Sequence, residues 1–484
     1  MIAAVLVGVA LRFVNLGTAP LWFDETYTYH HLISPWHGFI GTVMRDNQAP
    51  AYYALTKAWT EAAGLSAASM RIPGLLASVA CIPLMAAIGR VVGGVRSARV
   101  AAWLAAVSPF LIQHAQDARP YALLAAAATV DLLLLLRFVE GRSRRLGALW
   151  VLGALVVVAT HYYGIFFLAG EGLALLVLRP QPLRSWLPAG LVAGALTGGL
   201  VLKAVHTASG IFAGQYVFGV TALPGVVWSI LTGYTLVPTS EQLHMLGPRA
   251  ILPDLPIALI ALPAFIVVTI AGIRELGGKA RVALLTTFAV ALLAPFLYRL
   301  VAGAGVHPRY FAAAIAPVLV VTAVGMATIR LATARGLATV VLGAVMVYAT
   351  FLHLRDTGHG REDINAAGRW LAANVPVDEE ILITSNEMET LARFHWPDRR
   401  FRLYPSEKGP VEEAQIPDLV DALPFDGDER AVFIVGRAWL SDPDGKLQTA
   451  LADRYQPCGG ADVPGIRIHC YQPRATAAVA HARR

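Results

Sequence analysis

The sequence predicts a polytopic α-helical membrane protein. It has about eleven transmembrane helices, surface helices in the first outer loop, and a small C-terminal extracytoplasmic α/β domain. Three observations carry this. Only 15% of the 484 residues are charged and 56% are hydrophobic, where soluble domains have about 25% charged residues. Apolar runs near the length of a membrane crossing recur up to residue 353. Beyond residue 354 the composition turns abruptly into that of a soluble domain.

The apolar runs place spans at 1–16, 69–92, 97–114, 119–137, 146–160, 164–178, 185–204, 253–273, 281–299, 310–329 and 336–353. The first run lacks a small-residue cleavage site and reads as a retained span, with Arg12 near its outer end. The fifth and sixth runs are short and meet at His161-Tyr162-Tyr163-Gly164, which reads as a tight outer turn. One long helix there would invert every later loop.

Charge chooses the turn. With the N-terminus inside, the short cytoplasmic loops collect Arg90, Arg96, Arg99, Arg137, Arg142, Arg144, Arg145, Arg179, Arg184, Arg274, Lys279, Arg281, Arg330 and Arg335. The longer outer segments hold Arg45, Lys57, Arg71, Arg119, Lys203, Arg249, Arg299 and Arg309. Basic residues mark cytoplasmic loops. The same bias accounts for the formal charge of +7 without nucleic acid as a partner.

The expected domains are thus a membrane domain, 1–353, and an extracytoplasmic α/β domain, 354–484. The membrane domain carries two long outer loops, 17–68 and 205–252. Loops of that length without a task of their own are uncommon. Residues 24–44 and 50–63 are rich in Tyr and Trp and read as helices lying at the membrane surface. In the tail, REDINAAGRWLAANV, NEMETLARFH and KLQTALADRY have helical periodicity, and EEILITS, RAVFIVG and IRIHCYQ read as strands. Cys458 and Cys470 lie in this outer domain and can pair there, though two cysteines alone leave the bridge open. Cys81 sits in an apolar run as a core residue.

The chemistry gathers at the outer boundary. The stretch PLWFDETY puts Asp24 and Glu25 just past the first span, and Asp46 lies in DNQAPAYY before the second surface helix. Arg119 and Tyr121 open a span in QDARPY, with Pro120 suited to a helix start. His161 and Tyr162 sit in the outer turn, and Arg309 and Tyr310 open the tenth span. Singly, each reads as a snorkelling or capping residue. Together they suggest one outward-facing cavity at headgroup depth. Arginines there suit a lipid phosphate, which guanidinium groups bind through paired hydrogen bonds. A lipid phosphate leaves without a proton, so one carboxylate base for an acceptor hydroxyl suffices. A glycosidase, by contrast, needs two carboxylates.

PLWFDETY after a first span, DNQAPAYY with its D-x-x-x-P and paired tyrosines, QDARPY, HYYG, and RYF before a late span resemble bacterial polytopic glycosyltransferases of the protein O-mannosyltransferase-like group, in the type C glycosyltransferase superfamily. The resemblance covers about residues 10–350. It implies a polyprenyl-phosphate sugar donor, a lipid, glycan or protein acceptor, contact with membrane lipids, and a site on the outer face of a bacterial plasma membrane. It implies Asp24 as base, Glu25 as a residue ordering the site or holding the acceptor, and Arg119 as a phosphate partner. Asp46, His161 and Tyr162 are expected on the acceptor or ordering side, and Arg119, Tyr121, Arg309 and Tyr310 around the donor phosphate. Members often carry His-Pro-Pro or Lys-Pro-Pro where this chain has Ala49-Pro50-Ala51. A basic phosphate contact is therefore missing at Ala49, and Arg119, Lys203, Arg299 or Arg309 is left to replace it.

Competing readings are weaker. His114, His161 and His307 face outward, but no helix carries ligand pairs at metal-binding spacing, so a divalent metal is not favoured. Glu171 and Asp131 are carboxyls within spans, where a hydrogen bond to a neighbouring helix outweighs a functional role. Asp426-Gly427-Asp428 and Asp442-Pro443-Asp444 sit among turn formers and read as turns. No phosphate-binding loop or dinucleotide fingerprint occurs. A transporter or lipid flippase is the alternative, but the halves that mark many transporters are not evident. In a scaffold protein the acidic loop would be structural only.

Overall fold

The computed structural model describes residues 1–141, 143–179, 194, 198, 222–239, 242–243, 246–301, 306–356, 361–405, 411–425, 430–442 and 444–474. Two compact units emerge: Met1–Ala19, Thr28–Pro238 and Pro248–Thr357 form one, and Pro20–Tyr27, Thr239–Gly247 and Gly358–Arg484 the other.

The first unit is helical. It begins with α1 (Ile2–Phe13), followed by the surface helices α2 (Phe23–Ile33), α3 (Trp36–Arg45) and α4 (Pro50–Ala63). The helix expected over 24–44 is broken, because Pro35 disfavours helical backbone before it and cannot donate to the preceding turn. Next come α5 (Ala67–Val107), α6 (Pro109–Ala115), α7 (Tyr121–Gly141), α8 (Arg144–Thr160) and α9 (Gly164–Leu178). Within the second long loop lies α10 (Ala222–Thr232), and after it come α11 (Leu255–Glu275), α12 (Gly278–Val301), a 3-10 turn (Pro308–Ala314), α13 (Ile315–Thr328) and α14 (Ala332–Arg355).

Helix α5 is two arms. Gly94 has φ 77° and ψ −168°, a conformation open to glycine and few other residues. The Arg12 side chain proves the reversal. Its Nε donates to Ser78 Oγ at 2.8 Å, and its two terminal nitrogens donate to the carbonyls of Ala106 and Ala105 at 2.9 Å. A straight helix would hold Ser78 and Ala106 about 42 Å apart at 1.5 Å per residue. Arg12 is fully buried, so it is an internal tie and not a residue at the edge of the span. The expected span at 97–114 is interrupted at Ser108, which caps α6 by accepting from the Leu111 N–H.

Among the described residues, six helices are long and apolar enough to cross a membrane, α5 counting as one and the Pro308–Ala314 turn with α13 as another. Apart from residues 194 and 198, the expected span at 185–204 lies outside the described residues. Helices α1, α8 and α9 are shorter than the roughly 20 residues of a typical crossing. Helices α11 and α13 meet through glycines: a Cβ on Gly272 would collide with the Val321 carbonyl, and one on Gly325 with that of Val268. Small residues permit this close approach between membrane helices. Inside the bundle Asp131 and Glu171 are fully buried, and Trp150 Nε1 donates to Glu171 at 2.7 Å, tying α8 to α9.

The second unit holds a five-stranded sheet ordered β2-β1-β3-β5-β4. Its elements are α15 (Ile364–Asn374), β1 (Glu380–Ile383), α16 (Asn386–His395), β2 (Arg400–Leu403), α17 (Ile416–Asp421), β3 (Ala431–Gly436), α18 (Lys446–Arg454), β4 (Gln456–Val463) and β5 (Ile466–Gln472). Strand β1 runs parallel to β2 and β3, and β5 runs antiparallel to β3 and β4. Alternation divides the strands between two faces. Ile381, Ile383, Val432 and Ile434 pack with α15 and α16, while Leu382, Phe433 and Val435 pack with α17 and α18. Every residue of β3 is buried, as its central place requires. Asp442 accepts from the N–H groups of Leu447 and Gln448 at the start of α18, so it caps a helix. Asp426 and Asp428 lie outside the described residues.

Strand β4, QPCGGADV, has poor strand propensity. A disulfide between Cys458 and Cys470, with Cα atoms 5.0 Å apart, staples it to β5. Replacing both cysteines with serine is expected to destabilise this unit by about 3 kcal/mol. Thermal unfolding followed under oxidising and reducing conditions checks this, and an unchanged midpoint would contradict it.

Candidate active site

Two constellations contain the residues singled out by sequence. The first lies in the helical unit and centres on the turn between α8 and α9. Three consecutive residues there reach three places. Tyr163 stacks on Tyr310, ring centroids 4.8 Å apart and planes 17° from parallel. Tyr162 donates its hydroxyl to the Gln48 carbonyl at 3.0 Å. His161 lies 5.5 Å from the Tyr121 ring.

Guanidinium groups gather on these rings. The Arg299 Cζ sits 4.9 Å from the Tyr310 centroid, and the Arg309 Cζ sits 5.6 Å from Tyr310 and 5.8 Å from Tyr121. Such cation–π seating holds a guanidinium plane in place. Arg119 precedes α7 and is 6% exposed, and Arg299 on α12 is 2% exposed. Arg309 is carried by the Pro308–Ala314 turn, whose start is set by the preceding His307 ring accepting from the Arg309 N–H.

His161 is neutral for a physical reason. Burial, then the nearby positive charges of Arg119 and Arg309, bring its pKa down to about 3. Its Nδ1 accepts from the Tyr163 N–H at 3.1 Å, which leaves the proton on Nε2. The ring is therefore an uncharged donor among arginines. An ordinary histidine gains charge near pH 6.5, and this one does not. Below that pH the unfolded chain takes up a proton that the folded chain refuses. The stability His161 gives near neutral pH is thus lost progressively as pH falls from about 6.5 toward 3. Phosphate-ligand affinity is expected to show no His161-dependent rise between pH 7.5 and 5. Parallel titrations of wild type and His161→Gln check this.

The ring cluster extends further than the sequence suggested. Tyr234 from the second outer loop hydrogen-bonds His114 Nε2 at 3.1 Å and lies 5.2 Å from the His307 ring. Its place is set by Gln113, whose Oε1 accepts from the Tyr234 N–H. The lone aromatic in GYTLVP gave little signal because its partners lie far away in sequence. Gln116, in the QDARPY motif, has a structural task. Its amide donates to the Val14 carbonyl at 2.7 Å and accepts at 2.8 Å from His353.

Asp46 pairs with His31, Oδ2 to Nε2 at 2.6 Å. It adjoins Asn47, whose φ of 57° shapes the turn, and Gln48, which also accepts from Tyr53. Asp46 and Tyr162 thus order the same turn. His161, expected beside them, belongs instead with Arg119, Arg309 and Tyr121. Lys203 lies outside the described residues.

The second constellation carries the acidic pair. Asp24 and Glu25 occupy the first turn of α2, where carboxylates are favoured by the helix dipole. Glu25 is fully buried, and its Oε2 accepts from the Trp22 N–H at 3.3 Å, the backward half of a capping box. Glu25 therefore orders the helix start, whereas Asp24 is partly accessible. Among the described residues no three His, Cys, Asp or Glu side chains are grouped as metal ligands.

No family model matches the sequence, and no curated protein matches it. Solved structures do match. ArnT from Cupriavidus metallidurans in the apo state is 14% identical, with 97% of each chain covered and a TM-score of 0.52. The same protein bound to undecaprenyl phosphate is 16% identical, with the same coverage and TM-score. The oligosaccharyltransferase AglB from Archaeoglobus fulgidus, in complex with an inhibitory peptide and a dolichol-phosphate, is 13% identical, covering 99% of this chain and 74% of its own, with a TM-score of 0.51. At such identities the likeness is one of fold. The protein therefore shares the fold of ArnT along nearly its whole length.

Proposed function

We propose that the protein is an integral-membrane inverting glycosyltransferase that moves a sugar from a polyprenyl phosphate to an acceptor hydroxyl. The observation that carries this reading is the seating of Arg299 and Arg309 on Tyr310 and Tyr121, with Arg119 beside His161. This cationic cradle sits in a fold that, in ArnT, has been solved with undecaprenyl phosphate.

In the proposed reaction the Asp24 carboxylate takes the acceptor hydroxyl proton. The acceptor oxygen attacks the anomeric carbon, and the bond from that carbon to the phosphate oxygen breaks. The electron pair leaves with the polyprenyl phosphate, whose charge Arg119, Arg299 and Arg309 stabilise. Tyr121 and Tyr310 hold those guanidinium groups, and Arg299 replaces the basic contact missing at Ala49. Glu25, Asp46 and Tyr162 order the backbone around the acceptor side. The neutral His161 offers its Nε2–H to a phosphate oxygen.

The basic residues of the short loops and the disulfide-bonded tail support eleven spans with the N-terminus in the cytoplasm and the tail outside it, in a bacterial plasma membrane. The test is purified protein with undecaprenyl-phosphate mannose, glucose, galactose and arabinose, offered lipid, glycan and protein fractions as acceptors. Transfer with inverted anomeric configuration is expected. Transport of the same lipids across vesicles with no transfer would favour a flippase instead.

A further inference from the structure

The tail domain grips the chain at three successive residues just before Asp24. His395, at the end of α16, donates from Nε2 to the Leu21 carbonyl at 2.7 Å. The Arg361 Cζ lies 5.0 Å from the Trp22 ring, and the Arg437 Cζ lies 4.1 Å from the Phe23 ring. A packing contact alone would explain Arg361 on Trp22, since guanidinium groups commonly lie on indoles.

Arg437 is built differently. It follows β3 with φ 54° and ψ 44°, a left-handed conformation that a residue with a Cβ adopts at a free-energy cost. Local strain of this kind concentrates at functional sites. Its side chain is 18% exposed and its Nε donates to Glu362 at 2.8 Å. More carboxylates face it than one ion pair needs. Burial works against its charge, yet Glu362, Asp24 and Glu387 more than offset this and hold its pKa above the ordinary value. Glu387 responds in the opposite sense. Burial foremost pushes its pKa up, and Asp24 and Glu362 add to this against Arg437. The guanidinium thus pairs with Glu362 and lies within electrostatic reach of Asp24 and Glu387. It also lines a polar cavity with Asp462, Gly465 and Arg467.

We propose that Arg437 is a positioning residue for Asp24: it holds Phe23 under its guanidinium plane and fixes the neighbouring carboxylate, which makes the tail domain part of the catalytic apparatus. This rests on the proposed role of Asp24 as base.

The test uses the full-length protein in nanodiscs, the four undecaprenyl-phosphate sugars named above, and the variants Arg437→Gln, Arg437→Lys, Glu362→Gln and Asp24→Asn. Arg437→Gln is expected to lower kcat about 100-fold, the loss that a displacement of about 1 Å can bring, with donor KM unchanged. Lysine should restore part of it. Hydrogen exchange across residues 20–27 should rise in Arg437→Gln while β1 and β3 stay protected. An unchanged kcat in Arg437→Gln beside an inactive Asp24→Asn overturns this inference alone. Full activity in Asp24→Asn overturns the base assignment. Equal losses in Glu362→Gln and Arg437→Gln would mean that the pair serves only the domain's own fold. If none of the four sugars is transferred, unchanged exchange at 20–27 still overturns the proposal, and a selective rise there supports it.

Discussion

Asp24→Asn is expected to lower turnover about 10²–10⁴-fold, the range a positioned general base contributes, and to leave undecaprenyl phosphate binding intact. The change is isosteric and keeps a residue suited to a helix's first turn, so folding should survive. Glu25→Gln should behave otherwise. Its carboxylate is buried and receives the Trp22 N–H, so its loss should appear as lowered thermal stability together with lowered activity. Steady-state transfer, ligand-binding isotherms and unfolding midpoints on the two variants separate these roles. An Asp24→Asn enzyme with wild-type turnover would remove the base.

The second large effect concerns the arginines. Arg119→Ala, Arg299→Ala and Arg309→Ala are each expected to weaken undecaprenyl phosphate binding by about 10- to 150-fold. This corresponds to the roughly 1.5–3 kcal/mol of a charge-assisted hydrogen bond. Arg299→Lys should recover little, because an ammonium group neither lies flat on Tyr310 nor offers a planar fork. Tyr310→Leu should mimic part of the loss by unseating both Arg299 and Arg309. Isothermal titration with undecaprenyl phosphate, at two salt concentrations, measures all of these. Affinity unaffected by all three alanine variants would contradict the cradle.

Much of the fold was legible because membrane helices and soluble strands announce themselves locally. Helices α15, α16 and α18 and strands β1, β3 and β5 of the tail follow from periodicity alone, whereas the six-residue α17 is too short to show one. Strand β2, RFRL, is only four residues long, and β4 contains Pro457 and two glycines, so neither offers the alternation that marks a strand. Pro35 was visible, yet the surrounding aromatics masked its effect on the first surface helix. Long-range ties left no local signal. Arg12 looked like an interruption in a span, and only the return of α5 at Gly94 brings it both Ser78 and the carbonyls of Ala105 and Ala106. The outer-boundary arginines and tyrosines were readable as residue types. Their sorting was not, because His161, Tyr162 and Tyr163 point three ways from one turn. Arg437 lay beyond reach altogether, since nothing near it in sequence refers to residue 24.

That last separation bears on biogenesis. The segment at 20–27 emerges early from the ribosome, whereas His395, Arg361 and Arg437 are made hundreds of residues later. If the seating of Asp24 depends on them, a nascent chain that has made all its long helices is still inert, and competence arrives only when the final portion has been made and folded. Such a timing rule would keep half-made copies inactive.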